Sequence, residues 1–130
     1  MKIKIVAIGK IPSLLLQRLP AKLVETFKPL VDGYSVVTSG SIPLTAFDAQ
    51  RRQYRAETIL HQLVYGGERD AVILGIVDVD LYVPDLNFVF GLSQLLGRGA
   101  LVSIHRLKPN FYGETSDPEL LWDRTQKEAI

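Results

Sequence analysis

One short segment limits the possible folds of this chain more than any other. Residues 71–77, AVILGIV, form a continuous apolar run of strand length. A strand that is apolar on both sides fits the middle of a mostly parallel sheet whose two faces are covered by helices. The run therefore predicts an α/β fold with 71–77 as a central strand.

The segments around this run alternate between strand and helix patterns. Short segments rich in β-branched or apolar residues predict further strands at 3–8, 34–37 and 99–107. Apolar residues at helical spacing from Ala56 to Val64 predict an amphipathic helix. We expect one α/β domain over residues 1–130, with a mixed, twisted sheet of about four to five strands and helices packed on it.

The long helix is predicted to begin after Asp48 and to end at the glycines at 66–67. Arg51, Arg52 and Arg55 then fall mostly off the apolar stripe and form a solvated helix face. The chain has 15 basic and 14 acidic residues, and no aromatic residues alternate with these arginines. A nucleic-acid partner is therefore not expected.

Asp78 and Asp80 are candidate chemical groups at the end of the central run. Paired carboxylates can hold a cation or perform acid–base chemistry, and on one strand face they repel each other unless something neutralises them. The other ligands of a calcium loop are missing, so a solvated strand end is favoured over a small enzyme built on these carboxylates. His61 and His105 share no ligand spacing and the chain has no cysteine, so no catalytic or metal-ligating residue is assigned.

The apolar runs of the chain are short. None approaches the roughly 18 to 20 residues that a membrane span requires. The first residues, MKIKIVAIGK, are interpreted as a strand and not as a signal peptide. We therefore expect a cytoplasmic protein without a membrane partner.

The last element is predicted to be a helix. Asp117 is expected to cap it, with Pro118 at its first position. Residues at i+4 spacing then share one face: Leu121, Thr125 and Ala129. Because the pattern reaches Ile130 without a Gly or Asn stop, we expect that a longer helix has been cut.

Residues 69–107, RDAVILGIVDVDLYVPDLNFVFGLSQLLGRGALVSIHRL, resemble the central segment of the archaemetzincins, a family of zinc metallopeptidases in the metzincin clan. The segments FDAQRRQYRAETIL (47–60) and ELLWDRTQKEAI (119–130) are similar to that family as well. The resemblance runs in order along residues 1–130. It implies a metzincin-like N-terminal subdomain, hydrolysis of peptide bonds, and a peptide or protein substrate.

In that family the last helix continues into His-Glu-x-x-His-x-x-Gly-x-x-His, whose histidines bind zinc and whose glutamate acts as general base. No such motif occurs in this sequence. The resemblance therefore implies that residues 1–130 are the upper, N-terminal half of such a peptidase, without the zinc-binding C-terminal part. Zinc is the implied cofactor, but residues 1–130 alone are expected to bind none and to be inactive.

The resemblance also implies a substrate-binding segment. Asn87–Leu92, NFVFGL, is similar to the part that supplies the exposed sheet edge on which metzincins bind a peptide as an extra strand. The implied substrate-binding residues are Phe88, Val89, Phe90 and Gly91. Alternation alone offers another interpretation, in which Phe88 and Phe90 are core residues on one strand face.

A second hypothesis is a non-catalytic module that binds a peptide or a protein at this open sheet edge. Self-association is a further expectation. It would use the same exposed edge, or an apolar face that the missing half would cover.

Overall fold

The computed structural model describes residues 2–39, 41–65, 71–94 and 98–129. Their elements, in chain order, are β1 (Lys2–Ile8), α1 (Ser13–Thr26), β2 (Gly33–Ser39), β3 (Phe47–Asp48), β4 (Gln53–Arg55), α2 (Ala56–Tyr65), β5 (Ala71–Val77), β6 (Leu81–Tyr82), β7 (Gly91–Ser93), β8 (Gly99–Ser103) and α3 (Pro118–Ala129). Short 3-10 turns cover Leu44–Ala46 and Pro109–Tyr112.

A five-stranded sheet forms the centre of the fold, in the order β2-β1-β5-β8-β7. The first four of these strands run parallel, whereas β7 runs antiparallel to β8. The apolar run 71–77 is β5, in the middle of the sheet, so the prediction of a central strand is confirmed. A second, small sheet has the order β3-β4-β6 and was not predicted.

Each face of the large sheet carries its own apolar core. One core joins the sheet to α1 and α3, and its fully buried members include Ile5, Leu15, Leu19, Ile76 and Ile104. The other joins the sheet to α2, and its buried members include Ile59, Leu60, Val77, Leu81 and Leu101. Because successive residues of β5 enter opposite cores, the strand is apolar without alternation. No helix in the described ranges has the length and apolar content needed to cross a membrane.

The structure corrects the predicted start of the long helix. α2 begins at Ala56, and Asp48 instead closes the β3–β4 turn, where its Oδ1 accepts bonds from two backbone amides at 3.0 and 3.1 Å. Arg51 and Arg52 lie in that turn and Arg55 ends β4, so none of them is on the helix. Residues before Ala56 form a strand because they pair with β6, which lies far along the chain. The predicted helix end at 66–67 lies outside the described residues.

The predicted start of the last helix is confirmed. Pro118 is its first residue, and Asp117 Oδ1 accepts a bond from the Leu120 amide at 3.2 Å. Leu121 and Thr125 are buried, and they follow at the predicted spacing. A capping residue and a helical apolar pattern are local signals, which explains why they could be identified without the fold.

Candidate functional site

Strand β7 forms one edge of the large sheet, and no described strand pairs with its outer side. Besides the bonds within the strand ladder, a backbone bond at each end ties its inner side to β8. The Ser103 N–H donates to the Phe90 carbonyl at 2.8 Å, and the Gln94 N–H donates to the Gly99 carbonyl at 3.1 Å. These bonds determine the side to which each backbone group of β7 points.

The backbone groups of Gly91 and Ser93 point to the open side. In an antiparallel pair, successive residues direct their N–H and C=O groups alternately toward the neighbour and away from it. Residues 90 and 94 bond to β8, so the residues at 91 and 93 face outward. Ser93 was missed by sequence reasoning. Alternation counted from Phe90 would have found it, but only once the pairing with β8 was known.

Gly91 allows β7 to approach β8 closely. A Cβ atom added at Gly91 would lie 2.5 Å from the carbonyl oxygen of Leu101, which is far closer than such atoms approach in proteins. The obstacle is backbone, which cannot rotate away as a side chain can. Glycine is therefore required here for the observed pairing of the two strands.

The predicted edge strand is shorter than expected at its start. Asn87–Phe90, here called the lead-in segment, is irregular, and β7 begins only at Gly91. The Val89 amide is occupied, because it donates to the Leu81 carbonyl at 3.0 Å in an isolated bridge. This bridge bends the chain away from a continuous strand.

The two phenylalanines of the lead-in segment contact each other. Their rings meet edge to face, with centroids 5.3 Å apart and planes at 87°. Phe90 also packs against the core formed with α1 and α3. Phe90 thus has a packing role, and its carbonyl takes part in the pairing with β8. The assignment of residues 88–91 to substrate binding stays a prediction.

Asp80 lies in the turn after β5 and is paired with a cation. Arg106 donates to it through Nε at 2.6 Å and Nη2 at 2.9 Å, and Gln53 Nε2 donates at 3.0 Å. Burial by itself raises the pKa of Asp80, but the bonds from Arg106 and Gln53 outweigh burial and hold that pKa below its usual value. Asp80 is therefore a structural anion.

Asp78 is also paired, which corrects the expectation of two solvated carboxylates on one strand face. Its Oδ2 accepts a bond from Lys108 Nζ at 2.9 Å, and its Oδ1 lies 3.4 Å from Nδ1 of His105. Both carboxylates follow the end of β5 and are not on a strand. With each one engaged by cationic or imidazole groups, the geometry does not favour an enzyme built on these carboxylates.

His105 and Arg106 come from a turn and not from the predicted strand 99–107. β8 ends at Ser103, whose hydroxyl donates to the Val79 carbonyl and accepts a bond from the His105 amide. A serine side chain that bonds nearby backbone in this way favours a turn. The turn brings the side chains of His105, Arg106 and Lys108 onto the carboxylates that follow β5.

The profile of Peptidase family M54 matches residues 5–130. The chain belongs to this family. The resemblance of residues 69–107 to the archaemetzincins is thus confirmed at the level of the family.

Relatives of this M54 chain are similar over nearly all of it. The archaemetzincins of Pyrococcus furiosus and Thermococcus kodakarensis are 37% and 40% identical over 97% and 98% of this chain, which corresponds to 68% and 71% of their own lengths. A zinc-dependent peptidase from Methanocorpusculum labreanum matches with a TM-score of 0.83 at 28% identity, covering 98% of this chain and 76% of that one. The archaemetzincin from Archaeoglobus fulgidus matches with a TM-score of 0.76 at 31% identity, covering 99% and 73%.

A zinc site can be tested against the residues of this M54 chain. Catalytic zinc in proteins takes about three protein ligands. His61 lies on α2, where its ring stacks on Tyr65 at a centroid distance of 5.1 Å, and His105 faces Asp78. Within the described part of the chain, no group of three or more His, Cys, Asp or Glu residues could hold a metal ion. These residues do not fit zinc, so no catalytic step is assigned to them.

Proposed function

We propose that residues 1–130 form the peptide-holding part of an archaemetzincin-like, zinc-dependent peptidase. In this proposal β7 binds a substrate peptide in extended conformation, as one more strand of the large sheet. The observation that supports it best is the outward direction of the Gly91 and Ser93 backbone groups on an unpaired edge. Bonds to these groups hold a peptide whatever its side chains are.

A groove of about 390 Å³ lies against β7 on one face of the large sheet. Its lining includes Gly91 and Ser93 of β7 together with Leu74 of β5 and Leu101 of β8. Glu128 and Ala129 of α3 line the same groove. The lead-in residues Phe88, Val89 and Phe90 directly precede β7 and position its first residue. We assign them a supporting part in substrate binding.

Hydrolysis requires groups that the described residues do not supply. The family's zinc would have to be held by ligands other than the two histidines at His61 and His105. We therefore propose that a polypeptide of residues 1–130 binds an extended peptide and releases it uncleaved.

Backbone substitutions in the chain test this binding mode. Ser93→Pro removes one outward N–H. It leaves the bonds to β8 in place, because that N–H does not face β8. In a titration with a blocked, uncharged hexapeptide followed by NMR, we expect amide shifts centred on Gly91 and Ser93. Ser93→Pro should weaken binding by about tenfold, a change equivalent to one lost backbone bond, while Ser93→Ala should bind as the unmodified chain does.

Backbone methylation of the peptide provides the reciprocal test. A peptide that adds as a strand directs alternate amides toward β7, so N-methyl groups at alternate positions should weaken binding and those between them should not. Equal effects at all positions, or amide shifts away from β7, would show that the peptide does not add to this edge.

The non-catalytic module remains the second candidate because it uses the same edge, and the described residues offer no zinc-fitting group. The two candidates differ in what happens to the bound peptide. Cleavage of the hexapeptide by the protein isolated from its natural source would support the peptidase. Recovery of the intact peptide would support the module.

A further inference from the structure

A series of contacts leads from an ion pair to the start of β7. Arg106 is held by two hydrogen bonds to Asp80, at 2.6 and 2.9 Å. Its guanidinium lies 4.0 Å from the ring centroid of Phe88 and 5.0 Å from that of Phe111. A two-point bond to a carboxylate fixes the plane of a guanidinium, and a fixed plane fixes the ring stacked on it.

The contacts continue from Phe88 into the sheet. The Phe88 ring meets Phe90 edge to face at 5.3 Å, and the Phe90 carbonyl accepts the first bond between the lead-in segment and β8, from the Ser103 amide. Gly91, the first residue of β7, follows directly. Phe88 is thus connected, through Phe90, to the backbone bond at the start of the β7–β8 pair.

Gln53 ties the other end of the lead-in segment to the same ion pair. Its Nε2 donates to Asp80 at 3.0 Å and to the Asn87 carbonyl at 2.7 Å. Gln53 is 7% exposed, so these bonds are shielded from water. Asp80 therefore organises both Asn87, through Gln53, and Phe88, through Arg106.

We propose that Arg106, held by Asp80, is a positioning residue that keeps β7 in the register in which the backbone groups of Gly91 and Ser93 face outward. A slip of one residue would turn these groups toward β8 and turn those of the neighbouring residues outward. The role in peptide binding rests on the proposed function. The role in strand register does not.

The matched pair Arg106→Lys and Arg124→Lys tests the proposal. Lysine keeps the charge but loses the planar fork and the stack. Arg124 is a suitable control because it also lies over a ring, that of Tyr112 at 5.7 Å, and is also held by a hydrogen bond, which it donates to the Leu107 carbonyl at 3.0 Å. Both of these partners lie outside the lead-in segment.

Amide hydrogen exchange measures the register without any peptide. We expect Arg106→Lys to speed exchange of the Ser103 and Gln94 amides by about tenfold, as local opening of the β7–β8 pair becomes easier. The Ile104 amide, which donates to Val77 at 2.9 Å and does not involve β7, should keep its rate. Arg124→Lys should leave all three amides unchanged.

Substitutions of Phe88 keep the test decisive if Arg106→Lys fails to fold. Phe88→Leu removes the stacked ring and should reproduce the faster exchange of the Ser103 amide. Phe88→Tyr keeps the ring, so its Ser103 amide should exchange at the rate of the unmodified chain. Hexapeptide affinity should fall by about tenfold in Phe88→Leu and Arg106→Lys and stay unchanged in Arg124→Lys.

Two results would overturn the positioning role. One is unchanged exchange at Ser103 in both Arg106→Lys and Phe88→Leu. The other is equal acceleration at Ser103 and Ile104, which would indicate general loosening. If the unmodified chain binds no hexapeptide, the proposed function fails, while the exchange rates still decide whether Arg106 positions β7.

Discussion

Gly91 is the residue at which close backbone approach determines the shape of the edge. Its added Cβ would meet the Leu101 carbonyl oxygen at 2.5 Å, so Gly91→Ala must push β7 away from β8. We expect the free energy of unfolding to fall by about 1–3 kcal/mol, as for other overpacked sites. Hexapeptide affinity should fall as well, because the outward groups move with the strand. Urea unfolding and calorimetric titration measure the two effects.

Gly33 provides the control for this substitution. It begins β2, the opposite edge strand of the same sheet, and its added Cβ would have only ordinary contacts with the Lys2 side chain at 3.8 Å. Gly33→Ala should change the free energy of unfolding by no more than about 0.5 kcal/mol. If the two alanine variants unfold and bind alike, close approach at Gly91 is not the reason for its glycine.

Asp80 should make stability depend on pH in the acidic range. Its pKa in the folded chain lies below the unfolded value of about 3.9 because of Arg106 and Gln53, despite burial. The carboxylate therefore stabilises the fold above about pH 4, and the contribution is lost as the pH falls through the folded pKa. The stability difference between the unmodified chain and Asp80→Asn should be largest near about pH 7 and shrink toward about pH 3.

Asp123 offers a matched carboxylate for the pH measurement. It pairs with Lys127 at 2.9 Å on the exposed side of α3, and the Lys127 bond lowers its pKa too. Solvent screens such a pair, so Asp123→Asn should change stability little at any pH. A difference for Asp80→Asn that stays constant across the pH range would contradict the assignment of Asp80 as a structural anion.

At the scale of elements, the Leu63 side chain of α2 packs against the glycine of the central strand. A Cβ added at Gly75 of β5 would lie 2.3 Å from Leu63 Cδ1 and 3.0 Å from Leu101 Cδ1. Gly75→Ala should therefore lower the free energy of unfolding by about 1 kcal/mol, at the low end for overpacking, because both leucine side chains can rotate away. Because Leu63 is the closest obstacle, Leu63→Ala should make the alanine at 75 less harmful. A double-mutant cycle in urea should give a coupling energy of about 1 kcal/mol.

A leucine on the opposite face supplies the control for that cycle. Leu16 of α1 is half-buried in the core that α2 does not join, so Leu16→Ala and Gly75→Ala should be additive within about 0.5 kcal/mol. Equal coupling of Gly75 to Leu16 and to Leu63 would mean that the glycine affects the sheet as a whole and not its contact with α2.

The elements also show which parts of the fold were accessible from the sequence. The central strand 71–77 and the cap at Asp117 could be predicted, because each depends on residues that are adjacent in the chain. The role of Asp48 could not, since the choice between helix cap and turn depends on the pairing of Tyr54 with Leu81. In the same way, β8 stops at Ser103 because its hydroxyl meets the Val79 carbonyl, a contact made only by the folded chain.

At the scale of the whole molecule, the candidate site results from strand order. β7 precedes β8 in the chain but lies outside it in the sheet, so its second side stays open. The segment around Gly91 was identified from family resemblance, whereas the direction of each backbone group required the register with β8. The ion pair of Asp80 with Arg106 was not predicted, because its partners meet only when the turns after β5 and β8 come together.

In the proposed function, peptide binding and metal chemistry depend on different residues, and this separation can be measured. A polypeptide of residues 1–130 should retain well under one equivalent of zinc after dialysis, because the described residues contain no group of three suitable ligands. It should bind the hexapeptide with or without added zinc, and mass spectrometry should recover the peptide intact. The double variant His61→Ala, His105→Ala should behave identically, since neither histidine takes part in a zinc site. Stoichiometric zinc with peptide cleavage, both lost in the double variant, would instead show that these histidines form a metal centre.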